Sequence, residues 1–154
     1  MMLTIRKAAE RDVETVARFN VAMAWETEHL KLDEARARAG VAGLLASEAR
    51  GFYLLAEADG AVAGQLMITF EWSDWRNGVF WWMQSVYVDA AYRRQGIFRE
   101  LFGRVEKMAG EAGNVCGIRL YVEKENARAQ GAYRQMGMQE TAYQVYESDF
   151  VIKR

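Results

Sequence analysis

The sequence contains no proline. Average usage predicts about 8 in a chain of this length, so loops must turn on Gly, Asn, Asp or Ser, and no prolyl isomerisation slows folding. Cysteine and histidine occur once each, as Cys116 and His29. A lone cysteine forms no internal disulfide, and this pair argues against a structural zinc site and against a triad built on a distant histidine, so no metal is expected. Charge of one sign is not in excess: 20 Lys+Arg stand against 21 Asp+Glu, a formal net charge of −1. That balance argues against a whole-surface footprint for DNA or RNA. No apolar run approaches the length of a membrane span, and the first residues lack the basic-then-apolar order of a signal peptide. The expectation is a cytoplasmic protein without nucleic-acid or membrane partners.

What is present suits a single globular domain over residues 1–154, with 51% hydrophobic and 27% charged residues and enough chain to bury its own core. Residues 3–7 alternate weakly and fit a first strand. Val13, Val16, Ala17, Phe19, Ala22 and Met23 repeat at helical spacing within residues 10–28, and Asp33 is placed to cap a second helix reaching about residue 48 and broken or frayed near Gly40 and Gly43. The period then changes to two: residues 51–57 and 62–72 read as a hairpin around Ala58-Asp59-Gly60. Asn77-Gly78 signals a second hairpin. A two-residue turn there places Glu71 opposite Gln84, Ser73 opposite Trp82 and Asp74 opposite Trp81. A helix opening near Gly96, a strand over 117–122, a helix over 126–136 and a final β segment over 138–151 complete an α/β, mixed-sheet pattern with helices on both faces.

The stretch Val86-Tyr87-Val88-Asp89-Ala90-Ala91-Tyr92-Arg93-Arg94-Gln95-Gly96-Ile97 carries the chemistry. A strand enters a basic, Gly-containing loop that opens a helix, so backbone N–H groups and the positive end of a helix dipole converge on one point. Arg93, Arg94 and Gln95 add side-chain donors, and Gly96 admits close approach of an oxyanion. The expected ligand is a phosphate or pyrophosphate. Neither common nucleotide fingerprint, G-x-x-x-x-G-K-[ST] or G-x-G-x-x-G, is present, and the arginines could instead be solvated or paired with Glu100 and Asp89.

Over nearly its whole length the chain resembles the GNAT superfamily of acyl-CoA-dependent N-acetyltransferases. Arg93-Arg94-Gln95-Gly96-Ile97-Phe98 is similar to the family's pyrophosphate loop [QR]-x-x-G-x-[GA], with Phe98 in place of the small last residue, and Asn126 through Tyr133 to Gly137-Met138 is similar to its strand-Asn-helix-Tyr-x-x-x-G-[FM] segment. The resemblance implies about six to seven strands, an antiparallel first half, and a splayed parallel pair that admits acetyl-CoA. It implies that backbone groups at Val86, Tyr87 and Val88 bind the pantetheine arm, with one N–H polarising the thioester carbonyl. It further implies cofactor contacts from Arg93, Arg94, Gln95, Gly96, Ile97, Phe98, Asn126 and Tyr133, with Tyr133 as the acid that protonates the leaving thiolate. Asn126 is equally an ordinary helix cap. Some relatives carry a base where this chain has Trp82, so Glu71 is the candidate base, through water, with Asp74 in reserve.

Trp72, Trp75, Trp81 and Trp82 crowd one hairpin with Glu71 and Asp74, and aromatic faces with carboxylates suit a cationic amine. They suit a core or a homodimer interface as well. Candidate acceptor contacts are Glu26, Trp72, Asp74, Trp82 and Gln84. The acceptor expected is a small amine, amino acid or polyamine-like compound; a protein N-terminus or lysine, or a non-catalytic acyl-CoA-binding module, is the alternative.

Overall fold

The computed structural model describes residues 1–154, in two units, residues 1–120 and 121–154. In the first, β1 (Leu3–Lys7) leads through a 3-10 turn into α1 (Val13–Glu28), followed by α2 (Glu34–Leu45), β2 (Phe52–Ala58), β3 (Ala61–Ser73), β4 (Gly78–Val88), α3 (Ile97–Ala112) and β5 (Val115–Arg119). Asp33 caps α2 as its sequence position predicts, its Oδ1 accepting from Arg36 N at 3.0 Å. Gly40 and Gly43 do not break that helix, because its Val41 is buried against the sheet.

The sheet order is β1-β2-β3-β4-β5, antiparallel up to β4, with β4 and β5 parallel. This is the expected mixed sheet with five strands instead of six or seven. Both faces are covered, so β2 is buried nearly continuously from Tyr53 to Ala56 instead of alternating. Tyr53 and Leu55 pack with Val16, Ala17 and Val41 of α1 and α2. One residue out of phase, Gly64 on β3 leaves room for Ile97 of α3, whose Cγ2 lies 3.0 Å from where a Cβ would stand.

In the second unit, α4 (Ala127–Gln135) is capped by Asn126, whose Oδ1 accepts from Ala129 N at 3.2 Å. Residues 138–151, expected as a β segment, carry no strand. Their apolar side chains, Tyr143, Val145, Tyr146, Phe150 and Val151, are exposed. Alternation records a preference for a pleated surface, and a strand also needs a ladder partner, which this segment lacks.

One ion pair ties β1 to the helical layer. Arg6 grips Asp12 with two bonds of 2.8 and 2.9 Å and holds Glu57 through Nε at 2.6 Å, while Ala9 N donates to Asp12 Oδ2 at 2.7 Å. The Arg6 bonds hold the buried Asp12 carboxyl below the usual carboxylate range, against the opposing effect of burial. Its contribution to stability is therefore complete above pH about 4 and is lost as pH falls through the lowered folded-state value. Asp12→Asn is expected to cost about 2 kcal/mol at neutral pH. The gap in urea midpoint between wild type and variant is expected to close on acidification towards pH about 2.

Candidate acyl-CoA site

The basic loop is built from β4 outwards. Asp89 N donates to Ala63 O at 2.8 Å, and Asp89 O accepts from Tyr92 N at 2.8 Å, which turns the chain off the sheet. Arg94 and Gly96 both take left-handed backbone angles, with φ of 64° and 80°. Gly96 caps α3 without a side-chain acceptor, and a Cβ there would meet nothing within 4 Å. First-turn amides of a 16-residue helix are thus left without a side-chain cap, next to exposed Arg94 and Gln95. This is an anion-binding arrangement.

Arg93 does something else. Its Nε donates to Val88 O at 2.8 Å and its Nη2 to Glu26 Oε2 at 2.8 Å, with the guanidinium 5.4 Å from the Tyr87 ring centroid. Tyr87 hydroxyl donates to Glu26 Oε1 at 3.0 Å. Glu26, expected on the acceptor wall, is a brace that ties the end of α1 to β4 and to the start of the loop. Burial, and then the Glu26 carboxylate, push the Tyr87 phenol above its ordinary value, so it stays a donor. Ile97 is a core side chain, and Phe98, the departure from the motif, lies 6.1 Å from the Phe102 ring, its bulk taken up along α3.

β4 offers an open edge. Its parallel pairing with β5 stops at Trp82 opposite Arg119, which leaves residues 83–88 without a strand partner on that side. On the other side, two steps along β3 from Gln65 to Met67 match three along β4 from Tyr87 to Gln84. Ser85 and Val86 together face Leu66. This is a β-bulge, and Ser85 takes φ of 52° within it.

The hairpin register differs from the expectation. Ser73 pairs with Gly78, so residues 74–77 form the loop, and Glu71 lies opposite Phe80, Thr69 opposite Trp82 and Met67 opposite Gln84. The displacement is even, so Glu71, Trp82 and Gln84 still share a face. Asp74 sits in the loop. Glu71 Oε1 accepts from Arg119 Nη1 at 2.7 Å, and Arg119 lies 3.7 Å over the Phe80 ring. Gln84 Nε2 donates to Thr69 Oγ1 at 2.7 Å. The four tryptophans divide: Trp81 is core, stacked edge-on against Phe52 at 5.4 Å, Trp82 is half-buried, and Trp72 and Trp75 are exposed, Trp72 on the face opposite Glu71. His29 ends α1 in a left-handed conformation, edge-on to Trp25.

Asn126 and Tyr133 belong to the second unit. Asn126 is the cap of α4, and Tyr133 is half-buried on it, with burial pushing its phenol above the ordinary value. Arg119, Asn20, Tyr53 and Gln65 lie outside the motifs that the sequence presents. Gln65 did carry a signal, as the polar residue in the otherwise apolar run Ala61 to Ile68.

Residues 9–138 match a model of the acetyltransferase (GNAT) family. A "possible acetyltransferase" from Clostridium difficile 630 is 43% identical with a TM-score of 0.90, over 99% of this chain and 100% of that one. A predicted acetyltransferase with acetyl-CoA from Clostridium acetobutylicum shares the fold at 19% identity and a TM-score of 0.78, over 96% of each chain. So does an aminoglycoside acetyltransferase from an uncultured soil metagenomic sample, in complex with sisomicin, at 17% identity and a TM-score of 0.74, over 95% of each. No curated protein sequence matches the chain.

Proposed function

The chain belongs to the acetyltransferase (GNAT) family, and on that premise we propose that it transfers acetyl from acetyl-CoA to a primary amine by direct attack in a ternary complex. The observation that carries this reading is the loop at Arg94 to Gly96 beside the unpaired edge of β4. The donor set fits the cosubstrate: first-turn amides of α3 with Arg94 and Gln95 for a pyrophosphate, and the edge of β4 at Val86 and Val88 for an amide-bearing arm. Acetyl-CoA supplies an acyl group activated as a thioester. The chain's own contribution is to hold an N–H of β4 where negative charge develops on the carbonyl oxygen. It also presents Tyr133 as a neutral acid for the departing sulfur and, through Glu71 and water, accepts the amine's proton. A small cationic amine is the favoured acceptor, because Glu71 and Trp82 share one face and Asp74 lies in the adjoining loop.

Thiol release from acetyl-CoA over a panel of amines tests the reading. Turnover on a small amine is the expected result, and CoA binding without turnover on any amine would favour a binding module. Arg94→Ala is expected to weaken CoA binding by roughly tenfold or more, the loss of one charge-assisted contact. Hydrogen exchange at residues 94–97 is expected to slow when CoA binds; equal protection with and without CoA would displace the pyrophosphate from this loop.

A further inference from the structure

The carbonyl at the bulge in β4 is held by a relay of side chains that the family motifs do not include. Gln65 is fully buried on β3. Its Nε2 donates to Ser85 O at 3.1 Å and to Asn20 Oδ1 at 2.8 Å. Asn20, on α1, donates through Nδ2 to the Tyr53 hydroxyl at 3.4 Å.

Three features make this more than core satisfaction. Ser85 has a left-handed φ although it is not glycine, a conformation that persists only where surroundings impose it. Gln65 Oε1 is buried and accepts no hydrogen bond from the protein. Flipping the amide would set that oxygen against two acceptors, Ser85 O and Asn20 Oδ1, so the orientation is fixed by what the nitrogen must hold. Finally, the peptide joining Ser85 and Val86 is planar and trans, so its C=O and N–H point in opposite directions. With Ser85 O drawn towards Gln65 on β3, the Val86 N–H is aimed the other way, to the edge of β4 that has no strand partner.

We propose that Gln65, Asn20 and Tyr53 are positioning residues that lock the Ser85 bulge and so aim the Val86 N–H at the acyl carbonyl. The proposal rests on the acetyl-transfer reading above. It assigns that N–H by the relay which orients it.

The test pairs turnover with amide exchange. Gln65→Met removes both donors at similar length. It is expected to lower kcat on the order of 10- to 100-fold through misaimed geometry, leave CoA affinity within about twofold because the α3 loop is untouched, and speed exchange at residues 85–88. Adding Ser85→Gly supplies a residue that adopts positive φ freely. It is expected to restore part of both the protection and kcat, although glycine ordinarily weakens a strand. Tyr53→Phe removes the hydroxyl that Asn20 donates to and leaves both Gln65 bonds in place; it is expected to move kcat in the same direction by a smaller factor, which covers the case in which Gln65→Met does not fold. Wild-type kcat and exchange in Gln65→Met, or kcat and CoA affinity falling together without rescue by Ser85→Gly, would overturn the relay's role. Absence of turnover by the wild-type protein would instead overturn acetyl transfer, and the exchange comparison would then judge the relay alone.

Discussion

Tyr133→Phe is expected to lower kcat for acetyl transfer by roughly 100-fold or more, the ordinary worth of a positioned acid, while CoA affinity changes little. The substitution removes one hydroxyl and keeps the ring that half-buries the residue on α4. A departing thiolate has a reference pKa near 8.5 and a phenol near 10, so a neutral tyrosine can act as its acid only if it is still protonated at the working pH. Burial pushes Tyr133 above the ordinary phenol value. The neutral form therefore predominates at every pH below about 10 and gives way to phenolate only above it. Tyr133 should therefore produce no falling limb in the kcat profile between pH about 7 and 9.5, and the Phe variant should be depressed by a constant factor across that range. The measurement is thiol release at saturating acetyl-CoA and amine. An unchanged kcat would remove Tyr133 from the reaction.

The fold was legible wherever a local rule had no competitor. Asp33 caps its helix because its carboxylate satisfies a backbone N–H three residues on, and Gly96 opens α3 because it takes the left-handed backbone of that turn without strain. Asn77-Gly78 misled because its two halves serve different ends. Asn77 does take the left-handed turn conformation, with φ of 49°. Gly78 is glycine for another reason: a Cβ there would stand 3.0 Å from Cys116 Cβ and 3.1 Å from Asn114 O. It is a strand residue crowded by β5, so the turn moved back and the register moved with it. The bulge stayed hidden because its positive φ falls on Ser85 and is held by residues distant in sequence. The Arg93–Glu26 brace was hidden likewise, because its carboxylate stands on α1, 67 residues away in sequence.

Gly51→Ala is expected to destabilise the protein by about 3 kcal/mol or more, combining overpacking with backbone strain. Gly51 precedes β2 with φ of 144°, and a Cβ built there lies 1.9 Å from Ile68 O, 3.0 Å from Ile68 C and 3.2 Å from Thr69 Cα. All three atoms are backbone of β3, so no side-chain rotation can relieve the overlap, and the two strands must separate at Phe52 opposite Ile68. Gly117→Ala sets the scale by contrast. There a Cβ comes 2.6 Å from Phe80 Cε1, a ring that can shift, so the cost should be smaller. A domain of this size loses roughly 2–4 °C of Tm per kcal/mol, and stabilities run about 5–15 kcal/mol. Gly51→Ala should therefore melt about 10 °C below wild type, with Gly117→Ala between them. On the proposed reading, whatever Gly51→Ala retains of the fold should also carry a functional defect, since Thr69, the next residue along the displaced strand, holds Gln84 on the face of β4 proposed to meet the acceptor. A wild-type melting point for Gly51→Ala would mean that β2 can enter the sheet by another backbone path.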